Sequence, residues 1–380
     1  MKLKIDERLF RKIVCLEKDF KARCFVYYND KPKLLKFLKA QKIPIKSEYM
    51  FIDALYLEAT KEEIFSLAKL PNVIYISSLT VASSQMKVAR DILKVNRFNL
   101  TGAGQSVAII DTGISPHADF MLGENRIKFF KDFLNNKKDF YDDNGHGTFV
   151  SGVCAGGGYL SNFKFGGVAP KANIFSLKAL GESGEATANK ILDAMEWVFD
   201  NHIKNNIKVV CMSFGSEPIG YNDPIMVGAN ALWDDGVVVV AAAGNSGPEG
   251  GTIKSPGISP KIITVGGFDD NRMDDKSFSA DFFEVANFSS RGPALRHYKP
   301  DVVAPSVDII SCGRKKFYTR LSGTSVATPM VAGVVLLMFE RFSNLTPNEV
   351  KYRLLNGSAS IGFDANSEGY GVPNLERILK

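Results

Sequence analysis

Ser106-Val107-Ala108-Ile109-Ile110-Asp111-Thr112-Gly113 is a run of apolar, largely β-branched residues that stops abruptly at an acid and a glycine. Polar residues do not alternate along it, so the strand it predicts is buried on both faces, as in a parallel sheet covered by helices. Comparable strands recur at Ile174 to Leu177, Val209 to Met212, Val237 to Ala242 and Ile262 to Val265. Helical patterns lie between several of them, notably Ala188 to Asn201 and Asp223 to Asp234. The alternation predicts an α/β fold with a doubly wound, mostly parallel sheet. In such folds chemistry gathers at the C-terminal ends of the strands, and Asp111 falls at one.

Upstream the style differs. Cys24 to Tyr28 reads as a strand, Pro32 to Gln41 as a helix, Ile43 to Tyr49 and Phe51 to Ala59 as two strands. Lys61 to Leu70 is then a helix capped by Thr60, and Val73 to Ile76 a last strand. That order, βαββαβ, is a small ferredoxin-like α+β unit with one open sheet face. Ser83-Ser84-Gln85 reads as an exposed linker. The chain of 380 residues exceeds what one core usually serves, so residues 1–85 and 86–380 are expected as separate domains.

A net charge of +6 without a basic run interleaved with aromatics gives nucleic-acid binding little support. Met1 to Phe20 is charged throughout, without the apolar core of a signal peptide, and no uninterrupted apolar run is long enough to span a bilayer. A cytoplasmic protein with no membrane partner is the expectation. The five cysteines are odd in number, scattered and without metal-ligand spacing, which fits free thiols in a reducing compartment.

Chemistry is concentrated in four short stretches. Asp111 is followed by a Thr112-Gly113 turn that leaves its carboxylate at the sheet edge. His146 stands between Gly145 and Gly147, so other backbone can approach its ring closely. His117, His202 and His297 lack such surroundings and read as surface or locally hydrogen-bonded residues. Gly323-Thr324-Ser325-Val326-Ala327-Thr328-Pro329 opens an apolar helix with Ser325 at its N-terminus, where free N–H groups stabilise negative charge. Taken singly, Ser325 reads first as a helix cap and Asn245, in Ala243-Gly244-Asn245, as a turn residue. Jointly, Asp111, His146 and Ser325 supply the carboxylate, base and alcohol of nucleophilic hydrolysis, and Asn245 a donor for the oxyanion. A nucleotide-dependent oxidoreductase is disfavoured, because Gly102-Ala103-Gly104 precedes its strand instead of following it.

These motifs resemble those of the subtilisin-like serine proteases, the subtilases, with further likeness at Gly167 to Pro170, Ser289 to Pro293 and Pro300 to Pro305. The resemblance implies a serine endopeptidase working through an acyl-enzyme on polypeptide substrates, with no cofactor for catalysis. It implies a primary pocket between Ser213-Phe214-Gly215 and Ala242-Ala243-Gly244, and a substrate-pairing edge at Gly181 to Glu185 that includes Gly184 and Glu185. These segments suggest a neutral residue before the cut. The βαββαβ unit resembles a subtilase propeptide, an intramolecular inhibitor removed by self-cleavage near Gln85-Met86, behind small residues Ala82, Ser83 and Ser84. The rival is a regulatory protein whose propeptide never leaves. The calcium loop of secreted members is not recognisable between Gly156 and Phe165, so structural calcium is unsupported by sequence and any metal ligands are unknown.

Overall fold

The computed structural model describes residues 4–6, 9–10, 13–14, 21–78, 85–271, 283–314 and 317–380. It divides into two compact units, Met1–Ser83 with Asn271–Phe278, and Ser84–Asp270 with Ser279–Lys380.

The smaller unit runs β1 (Lys21–Tyr28), α1 (Lys31–Ala40), β2 (Ile45–Tyr49), β3 (Ala54–Thr60), α2 (Lys61–Lys69) and β4 (Val73–Ser78), with the sheet ordered β2-β3-β1-β4. Every pairing among these four strands is antiparallel. Strand β1 buries alternate residues, and Ala22, Cys24, Val26 and Tyr28 join Leu34, Leu38, Ile64 and Leu67 of the helices in one core. Helix starts follow local chemistry. Asp30 accepts from the Lys33 N–H at 3.2 Å, and Thr60 and Glu63 form a reciprocal capping box. Strand β3 starts at Ala54, later than the expected Phe51, because Met50–Ile52 form a 3₁₀ turn ending at Asp53 in a left-handed conformation (φ 49°).

The larger unit holds β5 (Ser106–Asp111), β6 (Ile127–Asp132), β7 (Asn173–Lys178), β8 (Ile207–Met212), β9 (Val238–Ala242), β10 (Ile263–Asp269), β11 (Glu284–Val285) and β12 (Val302–Pro305). The sheet order is β11-β10-β9-β8-β5-β7-β6, with β12 also on β10; only the β10–β11 pair is antiparallel. From β5 the chain builds outward first through β6 and β7, then in the other direction through β8, β9 and β10. The crevice beside such a reversal is where open α/β sheets carry their sites.

Every residue of β5 and of β9 is buried, as strands covered on both faces must be. The covering helices include α3 (Gln85–Ile92), α4 (His146–Ala155), α5 (Ala188–Asn201), α6 (Pro224–Asp234) and α7 (Thr324–Arg341). Helices α4 and α7 pack on one another, as do α5 and α6. Helix α7 is long and apolar enough to cross a membrane, but 83% of it is buried inside the protein, so it is the core helix of this unit. Its cap is Gly323, placing Pro329 inside the helix instead of in its opening turn. Proline has no N–H to offer the Ser325 carbonyl one turn back, and the helix gives up that bond.

Candidate active site

Asp111 ends β5 with its side chain 1% exposed, and its Oδ1 accepts from the Thr112 N–H at 2.7 Å. The same oxygen accepts from His146 Nδ1 at 2.8 Å, with the imidazole a quarter exposed. Oδ2 of Asp111 is buried without a hydrogen-bond partner. Burial pushes the His146 pKa down, but the Asp111 carboxylate, by charge and hydrogen bond, and Asp142 by charge, reverse that and leave it raised.

The close approach of these two segments rests on glycine. A Cβ on Gly147 would lie 2.2 Å from the Gly113 carbonyl oxygen, and one on Gly113 would lie 2.1 Å from that of Tyr141. Asp142 ties the segments together. Its Oδ1 accepts from Thr112 Oγ1 at 2.9 Å and the Gly145 N–H at 2.7 Å, and its Oδ2 from the Thr148 N–H and hydroxyl at 2.9 and 2.6 Å. Beneath them the fully buried Lys178 ammonium donates to the Thr112 and Leu180 carbonyls and to Asp143. Sequence reading missed Asp142, Lys178 and Thr324. The available signal was proximity: Thr324 lies within the quoted Gly323 to Pro329 stretch, and Asp142 four residues before His146.

Ser325 occupies the first turn of α7 and is not its cap, which removes the bland reading of that hydroxyl. Asn245 follows β9, and its Oδ1 accepts from the Thr324 N–H at 2.9 Å and the Thr324 hydroxyl at 3.0 Å. Those two bonds consume the amide oxygen and leave the Nδ2 donor to face Gly323. A Cβ built on Gly323 would sit 3.3 Å from Ser325 Oγ and 3.4 Å from Asn245 Nδ2, so hydroxyl and donor border the same small space. The structure thus joins Asp111 with His146 and gathers Ser325 with Asn245, and the helices that carry His146 and Ser325, α4 and α7, pack together. No hydrogen bond links Ser325 Oγ to the imidazole in this structure; such bonds often close only around substrate.

Residues 102–372 match the model of the subtilase family. The chain is a subtilase. It is 37% identical over 371 residues to the serine protease AprX of Bacillus subtilis (strain 168), covering 90% of this chain and 82% of that one. It is 34% identical over 285 residues to subtilisin Savinase of Lederbergia lenta, covering 74% and 93%. Among solved structures, Sphericase superposes with a TM-score of 0.65 at 27% identity over 75% of this chain and 96% of that one. The protein is therefore a serine endopeptidase acting on polypeptides.

In this subtilase the expected pocket segments lie at strand ends. Ser213 follows β8 and is buried, Phe214 is half-buried and Gly215 exposed; Ala242 closes β9, and Ala243 and Gly244 are buried beyond it. Between them runs a side chain that neither segment contains. A Cβ on Gly215 would lie 2.5 Å from Lys254 Cβ, and one on Gly244 2.5 Å from Lys254 Cγ. The Lys254 N–H donates to the Ala243 carbonyl at 2.9 Å, and its ammonium pairs with Glu217. Nothing in the sequence around Lys254 advertises this position.

Gly181 to Glu185 departs from an extended edge. It is a closed turn in which the Gly181 N–H donates to the Glu185 carbonyl at 2.9 Å, with Gly184 at φ 81° and the Glu185 side chain exposed. Gln85 and Met86 open helix α3, and Met86 is fully buried. Ala82, Ser83 and Ser84 lie outside the described residues. His117 and His202 are buried and hydrogen-bonded, the second of the two alternatives expected for them: His117 Nδ1 accepts from the Asp119 N–H, and His202 Nε2 lies 2.7 Å from Asp235. His297 is exposed. Ligand atoms of His117, Asp119 and Cys312 lie within 4.8 Å of one another, the arrangement among the described residues that could hold a metal. These atoms already serve hydrogen bonds, with Asp119 accepting from Tyr318 and Cys312. That satisfies the cluster without an ion.

Proposed function

We propose that this subtilase hydrolyses peptide bonds with Ser325 as nucleophile, His146 as base then acid, Asp111 as orienting carboxylate and Asn245 as oxyanion donor. Neutral His146 takes the Ser325 Oγ proton as Oγ bonds to the scissile carbonyl carbon, and the carbonyl electron pair moves onto oxygen. That oxyanion is met by Asn245 Nδ2 and the Ser325 N–H at the start of α7. Collapse expels the amine, which takes the proton from His146, and leaves an acyl-enzyme. Water, deprotonated by the same imidazole, releases the acid and restores the hydroxyl. The proton relay needs no cofactor. The 2.8 Å bond from His146 to Asp111 carries the reading, because it fixes the tautomer that leaves Nε2 free to accept. Ser213 to Gly215 and Ala242 to Gly244 hold the side chain before the cut, with Gly184 and Glu185 further along the substrate.

The smaller unit acts as an inhibitory propeptide removed by self-cleavage within a few residues of Gln85-Met86. Its βαββαβ order and the unit boundary between Ser83 and Ser84 support this. The Gln85–Met86 bond itself lies in a helical turn, so the turn opens before cutting or the cut falls just N-terminal to it. Buried free thiols fit a cytoplasmic setting. Fluorophosphonate should label Ser325, and purified wild type should resolve into two fragments by mass spectrometry where Ser325→Ala stays whole. Full activity in an uncleaved chain would remove the propeptide assignment, and an unlabelled Ser325 would remove the catalytic one.

A further inference from the structure

Lys254 lies against both segments read as the walls of the primary pocket. Its stem threads between Gly215 and Gly244, one glycine from each wall, at distances that leave no room for a Cβ on either. Both walls are therefore narrowed to backbone where the lysine passes, and the side chain is only 17% exposed. The methylene stem packs on the two glycines, while the ammonium at its end reaches the surface beside them, where it meets Glu217. The counter-charge is Glu217, whose side chain is 82% exposed. The pair is thus lopsided, with a cation held by the fold and an anion held mostly by water. Exposed carboxylates in such pairs give up their partner at little cost.

We infer that Lys254 selects substrates with an acidic side chain, glutamate above all, at the residue before the scissile bond, the substrate carboxylate displacing Glu217 from the ammonium. This rests on the proposed reading of Ser213 to Gly215 and Ala242 to Gly244 as the pocket walls. It replaces the expectation of a neutral residue there, which considered only charges within the wall segments. Glutamate suits the site better than aspartate, because the lysine stem occupies the space between the glycines and a longer side chain reaches its end with less distortion. A basic side chain would meet the ammonium directly and is rejected.

The test uses full-chain protein and internally quenched peptides identical except for Glu, Gln, Leu or Lys before the cut, at low ionic strength, with kcat/KM as the readout. A charge-assisted hydrogen bond to the Lys254 ammonium gives roughly a 10- to 100-fold preference for Glu over Gln. Lys254→Met keeps the stem and should bring the Glu-to-Gln ratio to unity or below. Glu217→Gln, a surface change, removes the competing carboxylate and should raise that ratio. Wild type cutting Glu no faster than Gln, or Lys254→Met keeping the preference, overturns the inference while other peptides are still cut and Ser325 is still labelled. Failure to cut any peptide, with no label at Ser325, overturns the proposed function and this inference with it.

Discussion

At the scale of the residue, His146 is pulled in opposite directions, by burial toward the neutral ring and by Asp111 toward the charged one, and the carboxylate wins. The relay requires the neutral ring, so a raised pKa means the proton is kept to a higher pH and activity is switched on later as pH rises. The acid limb of kcat/KM should lie above the ordinary imidazole value of about 6.5. Asp111→Asn should move that limb downward and reduce kcat by about 10⁴-fold. A limb unmoved by that substitution would detach Asp111 from the base. Asp111 was legible as the acid that ends a buried strand just before Gly113, and His146 because it stands between two glycines. Lys254 was not, because its role arises from two glycines elsewhere in the chain and from the path of its stem between them.

At the scale of the element, the sheet is tied to its surroundings by a buried ion cluster. Lys299, 1% exposed, donates to Asp301 Oδ2 at 2.5 Å and to Thr264 Oγ1 of β10 at 2.9 Å. Lys351, on helix α8 (Pro347–Asn356), pairs with Asp301 Oδ1 at 2.9 Å. Burial pulls the Lys299 ammonium down to about 7 against the pull of Asp301. Burial also pushes the Asp301 carboxyl up, and the two lysines together leave it lowered. One carboxylate thus answers for two cations between β10, the start of β12 and α8. Asp301→Asn leaves both lysines without a counter-charge, held only by the Thr264 hydroxyl and the Pro260, Lys261 and Ile262 carbonyls, and should cost about 3–5 kcal/mol, read as a lower urea midpoint at unchanged slope. A change under about 1 kcal/mol would mean that those oxygens and water suffice for both lysines. Strands such as β5 and β9 were legible because burial on both faces writes an unbroken apolar run. Strands β6 and β11 to β12 were passed over: Ile127–Asp132 carries two lysines and an aspartate, and β11 is two residues long, too short to show any period. The turn at Gly181 to Glu185 escaped because a glycine pair allows an extended edge and a closed loop equally well in sequence.

At the scale of the whole molecule, the change from short alternating strands to buried apolar ones marked two bodies, and the two units part between Ser83 and Ser84. What the sequence could not carry was where the linker ends: Gln85, read as exposed chain, already belongs to a helix whose Met86 is fully buried. The thiols among the described residues follow the same division. Cys24 belongs to the smaller core and Cys154, Cys211 and Cys312 to the larger, all four buried and free. Burial pushes Cys24 and Cys211 up to about 12 and the other two well above their usual range. Alkylation depends on the thiolate, so iodoacetamide at mildly alkaline pH should leave these four almost untouched in the native chain. Each becomes reactive only when its own core opens. Adding denaturant stepwise and assigning the modified peptides by mass therefore turns these four into separate timers, Cys24 keyed to the small unit and the other three to the large. Simultaneous modification of all four would mean that both units melt as one.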